Sequence, residues 1–247
     1  MRQVFRILGD AQLALGDTAA ARAAYVEATA AGWEPALMQR AIPVLLTSGD
    51  TTRALVLAAR VAVDPGTPSK LADSLTRRAL IVLGESRWQT MLVDARRRMR
   101  EHFLGDATRI KLPLDIALVD SANRPTTLER VTRGRVSVVT FWSRECGFSV
   151  DQLPRLAQLS ARLRERGMAL VPIATEAQTP EVAAFLRNHP IGTANWFDAS
   201  ARARRAFGQW STPEYYVLDE HGVVRFRHST LELVLAQAVA LADAGGE

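Results

Sequence analysis

The chain has 247 residues, 48% of them hydrophobic, with a single cysteine and a formal net charge of +5. That length allows two ordinary domains. One thiol excludes an internal disulfide, and no apolar run reaches the roughly 20 residues of a membrane-spanning helix. Arginine supplies nearly all of the positive charge, since lysine occurs only at Lys70 and Lys111. The clusters at Arg96-Arg97-Arg98 with Arg100, and at Arg202, Arg204 and Arg205, are neither interleaved with aromatics nor set on a nucleic-acid reading motif. They read as solvated helix faces, and no nucleic-acid partner is expected.

The first hundred residues read as helix after helix, rich in Ala and Leu and broken at Gly or Pro. Gly16-Asp17-Thr18-Ala19-Ala20-Ala21 returns as Gly49-Asp50-Thr51-Thr52-Arg53-Ala54, and more faintly at Gly84-Glu85-Ser86. The spacing is close to the period of about 34 residues used by helix–turn–helix repeats. With Leu8-Gly9, then Ala21, Tyr25 and Ala28, and Pro35 at the closing position, the first copy resembles the tetratricopeptide repeat. The second keeps Ala54, Ala58 and Asp64-Pro65 but departs at Ile42 and at Pro43, which is expected to kink or shorten its helix. Residues 1–105 are therefore expected to form an all-α, repeat-like domain that binds a partner protein. The N-terminus has no apolar core of signal-peptide type. Met1 falls inside a repeat's first helix, and because repeat stacks need capping units the natural protein is expected to extend upstream.

Around Gly105 to Pro113 the pattern changes to alternating strands and helices. Asp115 to Val119 reads as a strand, followed by a turn at Asp120 to Pro125. Val136 to Trp142 is a continuous apolar run, as in a buried central strand. Gln152 to Arg166 has helical spacing, with Gly167 as its stop. Ala169 to Ala174 is the next buried strand. Thr179 caps a helix that has Pro180 at its first position. Trp196-Phe197 is a short apolar segment, and Ala201 to Phe207 a short helix stopped at Gly208. Tyr215–Leu218 and Val223–Phe226 flank a hairpin signal, and Leu231 to Leu241 is the last helix. This order describes an α/β domain over 110–247, a mixed sheet with helices on both faces.

The only cysteine lies where the central strand gives way to a helix, in Phe141-Trp142-Ser143-Arg144-Glu145-Cys146-Gly147-Phe148-Ser149. A thiol at a helix N-terminus is favoured as the thiolate, the reactive form. The four histidines lack metal-ligand spacing, and no phosphate-binding glycine loop or Ser-His-Asp set stands out. No cofactor is expected.

Several anchors come in one order. They are Val138-Val139-Thr140-Phe141-Trp142 leading to Cys146-Gly147, then Gln152-Leu153-Pro154, Phe207-Gly208, Ser211-Thr212-Pro213, and Tyr216-Val217-Leu218-Asp219 with Gly222. Together they resemble the thioredoxin-like fold, and within it the bacterial thiol–disulfide oxidoreductases of the TlpA and ResA type. The resemblance implies that Cys146 is the nucleophile and that Thr212 and Pro213 form a cis-proline loop facing it and orienting the substrate. It implies that Trp142 flanks the substrate, that Glu176 assists proton transfer, and that the location is extracytoplasmic. Ser149 departs from the family, which has a second, resolving cysteine there; serine can only donate a hydrogen bond to the thiolate. Glu145 stands where the family has an aromatic residue, and its carboxylate opposes thiolate formation, with Arg144 as an offset.

Three readings of Ser149 stay open: an engineered trap, a natural single-thiol enzyme that needs an external thiol, or a degenerate site kept for binding in an assembly subunit. Cys-Gly-Phe-Ser is also the site of single-thiol glutaredoxins, which hold an iron–sulfur cluster with glutathione. Ser143-Arg144-Glu145-Cys146 is similar to the Thr-x-x-Cys spacing of peroxiredoxins, with Val139 in place of their proline.

Overall fold

The structure is a computed structural model that describes residues 2–30, 32–113 and 115–245; the expectation about Met1 lies outside them. The chain divides into two compact units after Gly105. Among the described residues, no helix is long and apolar enough to cross a membrane.

The first unit consists of α1 (Arg2–Ala14), α2 (Thr18–Ala30), α3 (Pro35–Thr47), α4 (Thr51–Val63), α5 (Ser69–Leu83) and α6 (Glu85–Gly105). The recurring Gly-Asp explains two of its turns. Gly16 and Gly49 take positive φ values of 78° and 79°, a conformation that glycine adopts without a Cβ penalty. The aspartate that follows then caps the next helix: Asp17 Oδ1 accepts from the Ala20 amide at 2.9 Å and Asp50 Oδ1 from the Arg53 amide at 3.3 Å. Small residues set the close approach of α1 and α2. Ala21, Ala24 and Ala28 are buried around Tyr25, and a Cβ on Gly9 would stand 3.2 Å from the Tyr25 ring. Trp33 Nε1 donates to Asp64 Oδ2 at 2.7 Å beneath the Arg60 guanidinium, tying the start of α3 to the end of α4. Pro43 does not shorten α3, which runs on to Thr47. Six residues of α3 are buried, and that packing outweighs the missing backbone donor.

The second unit consists of β1 (Ile110–Lys111), β2 (Ala117–Val119), β3 (Pro125–Thr127), α7 (Leu128–Thr132), β4 (Ser137–Trp142), α8 (Gly147–Arg164), β5 (Ala169–Ala174), α9 (Pro180–Asn188), β6 (Trp196–Phe197), α10 (Arg202–Phe207), β7 (Glu214–Leu218), β8 (Val223–Ser229) and α11 (Val234–Gly245). They make one sheet of order β1-β8-β7-β4-β5-β6-β2-β3. β4 and β5 are parallel and joined by α8, whereas β7 runs antiparallel to both β4 and β8. This is the thioredoxin-like arrangement, preceded by an all-α region. Every residue of β4, β5 and β7 is buried, as expected for strands covered on both faces. Phe141, Phe207 and Tyr216 meet edge to face at the core, with centroids 4.9 to 5.9 Å apart.

Three expectations need correction. The strand read from Asp115 begins at Ala117. The turn at Asp120 to Arg124 leads into β3 and α7, neither of which the apolar pattern revealed. The last helix starts at Val234 rather than Leu231, because the Leu233 and Val234 amides turn back to the Thr230 carbonyl. Thr179 does cap α9, its hydroxyl accepting from the Val182 amide at 3.3 Å. Thr179→Ala is expected to lower the unfolding free energy by about 1 kcal/mol in urea titration, the usual cost of a lost cap.

Candidate thiol site

Cys146 lies just past the carboxyl end of β4, as the extended N-cap residue of α8 (φ −103°, ψ 108°). The strand end fixes its position, and the turn before it is held locally. The Cys146 amide donates to the Ser143 carbonyl at 3.2 Å, and the Glu145 amide to Ser143 Oγ at 3.2 Å. Arg144 pins the same turn from outside, its amide donating to Glu176 Oε1 at 3.0 Å and its Nε to Glu176 Oε2 at 2.8 Å. Glu176 therefore engages Arg144, and no hydrogen bond joins it to the thiol among the described residues. The Arg144 Nε also stands 3.2 Å from the exposed Glu145 carboxylate, so the one acid beside the cysteine is partly neutralised.

Across from Cys146 is the loop before β7. The Thr212–Pro213 peptide is cis, and the thiol donates to the Thr212 carbonyl oxygen at 3.0 Å. That contact favours the protonated thiol, but the other neighbours outweigh it and hold the Cys146 pKa below the ordinary thiol value. The Thr212 side chain contributes most, then the Ser149 amide. Burial opposes them, and the Ser149 hydroxyl and the Phe148 amide add smaller pulls. Amides at the start of a helix are the donors such a site requires. Ser149 is fully buried, and its hydroxyl oxygen makes no hydrogen bond of full geometry, consistent with a weak pull on the sulfur.

The loop is tied to the sheet by one buried carboxylate. Glu214 Oε2 accepts from the Trp210 amide at 3.1 Å and from the Tyr216 hydroxyl at 2.8 Å, and Oε1 stands 2.6 Å from His228 Nδ1. Burial, with the Glu214 bond second, pushes the Tyr216 pKa upward and keeps the hydroxyl a donor.

Cys146 opens on a groove of about 750 Å³ whose walls include Glu145, Arg204, Arg205, Trp210 and Thr212. Trp142 takes no part in it. It is fully buried and stacks on Phe185 of α9, centroids 6.1 Å apart, so the expectation that it flanks the substrate is corrected. Exposed aromatic surface comes instead from Trp210 (86% exposed) on the groove and Phe148 (77%) beside the cysteine. Neither stands out in the sequence reading. A lone Trp in the polar stretch Gly208-Gln209-Trp210-Ser211 is the available signal, since a core aromatic would sit in an apolar run. Thus the fold brings Cys146, Ser149, Thr212 and Pro213 together, places Glu176 one residue contact away through Arg144, and excludes Trp142.

Residues 106–227 match the family described as AhpC/TSA. That match lies within the C-terminal unit, Asp106–Glu247. Several solved structures of similar size also match this unit. A Chlorobium tepidum protein named after the thiol:disulfide interchange protein DsbE is 26% identical, covering 54% of this chain and 96% of its own, with a TM-score of 0.47. A secreted Mycobacterium tuberculosis disulfide oxidoreductase homologous to E. coli DsbE is 20% identical, covering 52% and 97%, with a TM-score of 0.45. A secreted thiol-disulfide isomerase from Corynebacterium glutamicum is 18% identical, covering 56% and 92%, with a TM-score of 0.46. The chain matches no curated protein.

Proposed function

We propose that the C-terminal unit carries out thiol–disulfide exchange through Cys146 alone, forming a mixed disulfide with a protein partner. The Cys146 thiolate attacks one sulfur of the partner's disulfide, the Cys146–S–S–partner bond forms, and the displaced partner thiolate takes a proton from solvent. Thr212 and Pro213 orient the incoming chain, and Trp210 and Phe148 offer it apolar surface. Ser149 has no thiol with which to break the mixed disulfide, so release needs a second thiol from outside. The observation that carries this reading is the set of donors around one half-buried sulfur at a helix start, which lowers its pKa. The six-helix unit is read as tetratricopeptide-like repeats that hold the partner, supported by the recurring Gly-Asp turn between packed helix pairs.

The test is the rate of Cys146 alkylation by iodoacetamide against pH. A lowered pKa places the midpoint below the value of about 8.5 for an ordinary thiol. A midpoint at or above that value, or a thiol that does not react, overturns the reading in favour of an assembly subunit with a degenerate site. Because the Thr212 side chain is the largest stabilising contact, Thr212→Ala is expected to move the midpoint upward by more than Ser149→Ala does. Equal shifts would assign the lowered pKa to the helix amides instead.

A further inference from the structure

A second concavity, of about 390 Å³, lies on the C-terminal unit away from the thiol. Three arginines from separate elements line it: Arg130 in the last turn of α7, Arg135 in the turn before β4, and Arg164 at the end of α8. Arg164 and Cys146 lie at opposite ends of α8, and 18 helical residues span about 27 Å. The floor is apolar, with Leu170 of β5 and Trp196 of β6, and Thr126 adds a hydroxyl at the rim.

Charge balance distinguishes this pocket. Elsewhere on the chain many arginines meet a carboxylate, as Arg97 and Arg98 meet Asp94, Arg124 meets Asp120, and Arg155 meets Glu232. Among the described residues, none of the guanidinium groups of Arg130, Arg135 and Arg164 has a hydrogen bond or ion pair. The adjacent acids do not supply one. Glu129 is 4.0 Å from Arg133, and neither Glu129 nor Glu165 lines the pocket. A helix C-terminus favours a cation at Arg130 and Arg164, but Arg135 belongs to no helix. Three like charges converging on one cavity repel one another and raise the local potential, which draws in anions. The planar guanidinium suits paired oxygens, and phosphate groups present several of them.

We propose that this pocket binds a multiply charged phosphate-type anion, with Arg130, Arg135 and Arg164 as its ligands. The cavity volume lies in the range of small-ligand sites and leaves room over Trp196 for an organic group attached to the phosphates. The site is independent of the exchange chemistry proposed for Cys146.

The test is calorimetric titration of the full chain with inorganic pyrophosphate, with adenosine diphosphate, and with acetate as a singly charged control. Pyrophosphate is expected to bind and acetate not. Raised salt should weaken the pyrophosphate affinity of the unaltered chain, since all three arginines are exposed and exposed charges are screened. R130Q/R164Q should weaken it about tenfold or more, in line with lost charge-assisted bonds. R77Q/R78Q removes the same charge from α5 and should keep the affinity. Equal affinity for the two phosphates would make charge alone the determinant, and tighter binding of the nucleotide would show a ring seated on Trp196; either supports the site. No binding of either, affinity insensitive to salt, or an equal loss in R77Q/R78Q overturns it.

Discussion

Ser149→Cys is expected to turn a chain that accumulates mixed disulfides into one that releases them. Residues three apart on a helix face one another with Cβ atoms about 5–6 Å apart, and a disulfide draws such a pair slightly closer. In the structure the position is already suited to the task, because Ser149 is buried behind Cys146 and its hydroxyl has no competing hydrogen bond. The introduced thiol would attack the Cys146 sulfur of the mixed disulfide, close an internal disulfide with it and expel the partner as a thiol. The measurement is the lifetime of a mixed disulfide with a cysteine-containing peptide, followed by intact mass. The unaltered chain should hold the peptide until an external thiol is added, and the variant should release it at least about tenfold faster, consistent with an intramolecular thiol of high effective concentration. Cys146→Ser should form no adduct. A variant adduct as long-lived as that of the unaltered chain would remove Ser149 from the account of incomplete turnover.

Phe141→Ala should be among the most destabilising single changes in the C-terminal unit. Phe141 is fully buried in β4 and meets both Phe207 and Tyr216 edge to face. Truncating a buried phenylalanine costs about 3–5 kcal/mol, combining lost transfer energy with the cavity left behind. Here the cavity would open within the strand that leads to the cysteine. Urea unfolding should show that loss in the transition of the second unit, accompanied by faster alkylation of Cys146 as the helix start loosens. A loss under about 1 kcal/mol would mean that Phe207 and Tyr216 close the gap.

The two central strands are legible because burial on both faces leaves an unbroken apolar run in the sequence, and Val136–Trp142 and Ala169–Ala174 are such runs. The thiol is legible because one cysteine follows one of them directly. β3 and α7 are not, because Pro125-Thr126-Thr127 is a partly exposed edge strand stabilised by pairing with β2, which a local pattern does not encode. Trp142 misleads because an aromatic at a strand end looks the same whether it faces a substrate or the inner side of a helix. Its stacking on Phe185 depends on where α9 returns, more than 40 residues later. The three arginines of the second pocket are spread over 35 positions, so the chain order gives no hint that they converge.

Glu214 has a consequence for any attempt to change what this protein touches. The loop carrying Thr212 borrows its rigidity from a carboxylate in the sheet, which grips the backbone at Trp210 rather than its side chain. The indole at that position is thus free to be exchanged for another group while the peptide beneath it stays in place. A new partner preference can be written into the groove by varying that ring, leaving the distance from sulfur to loop untouched; a change at Glu214 would unfasten both at once.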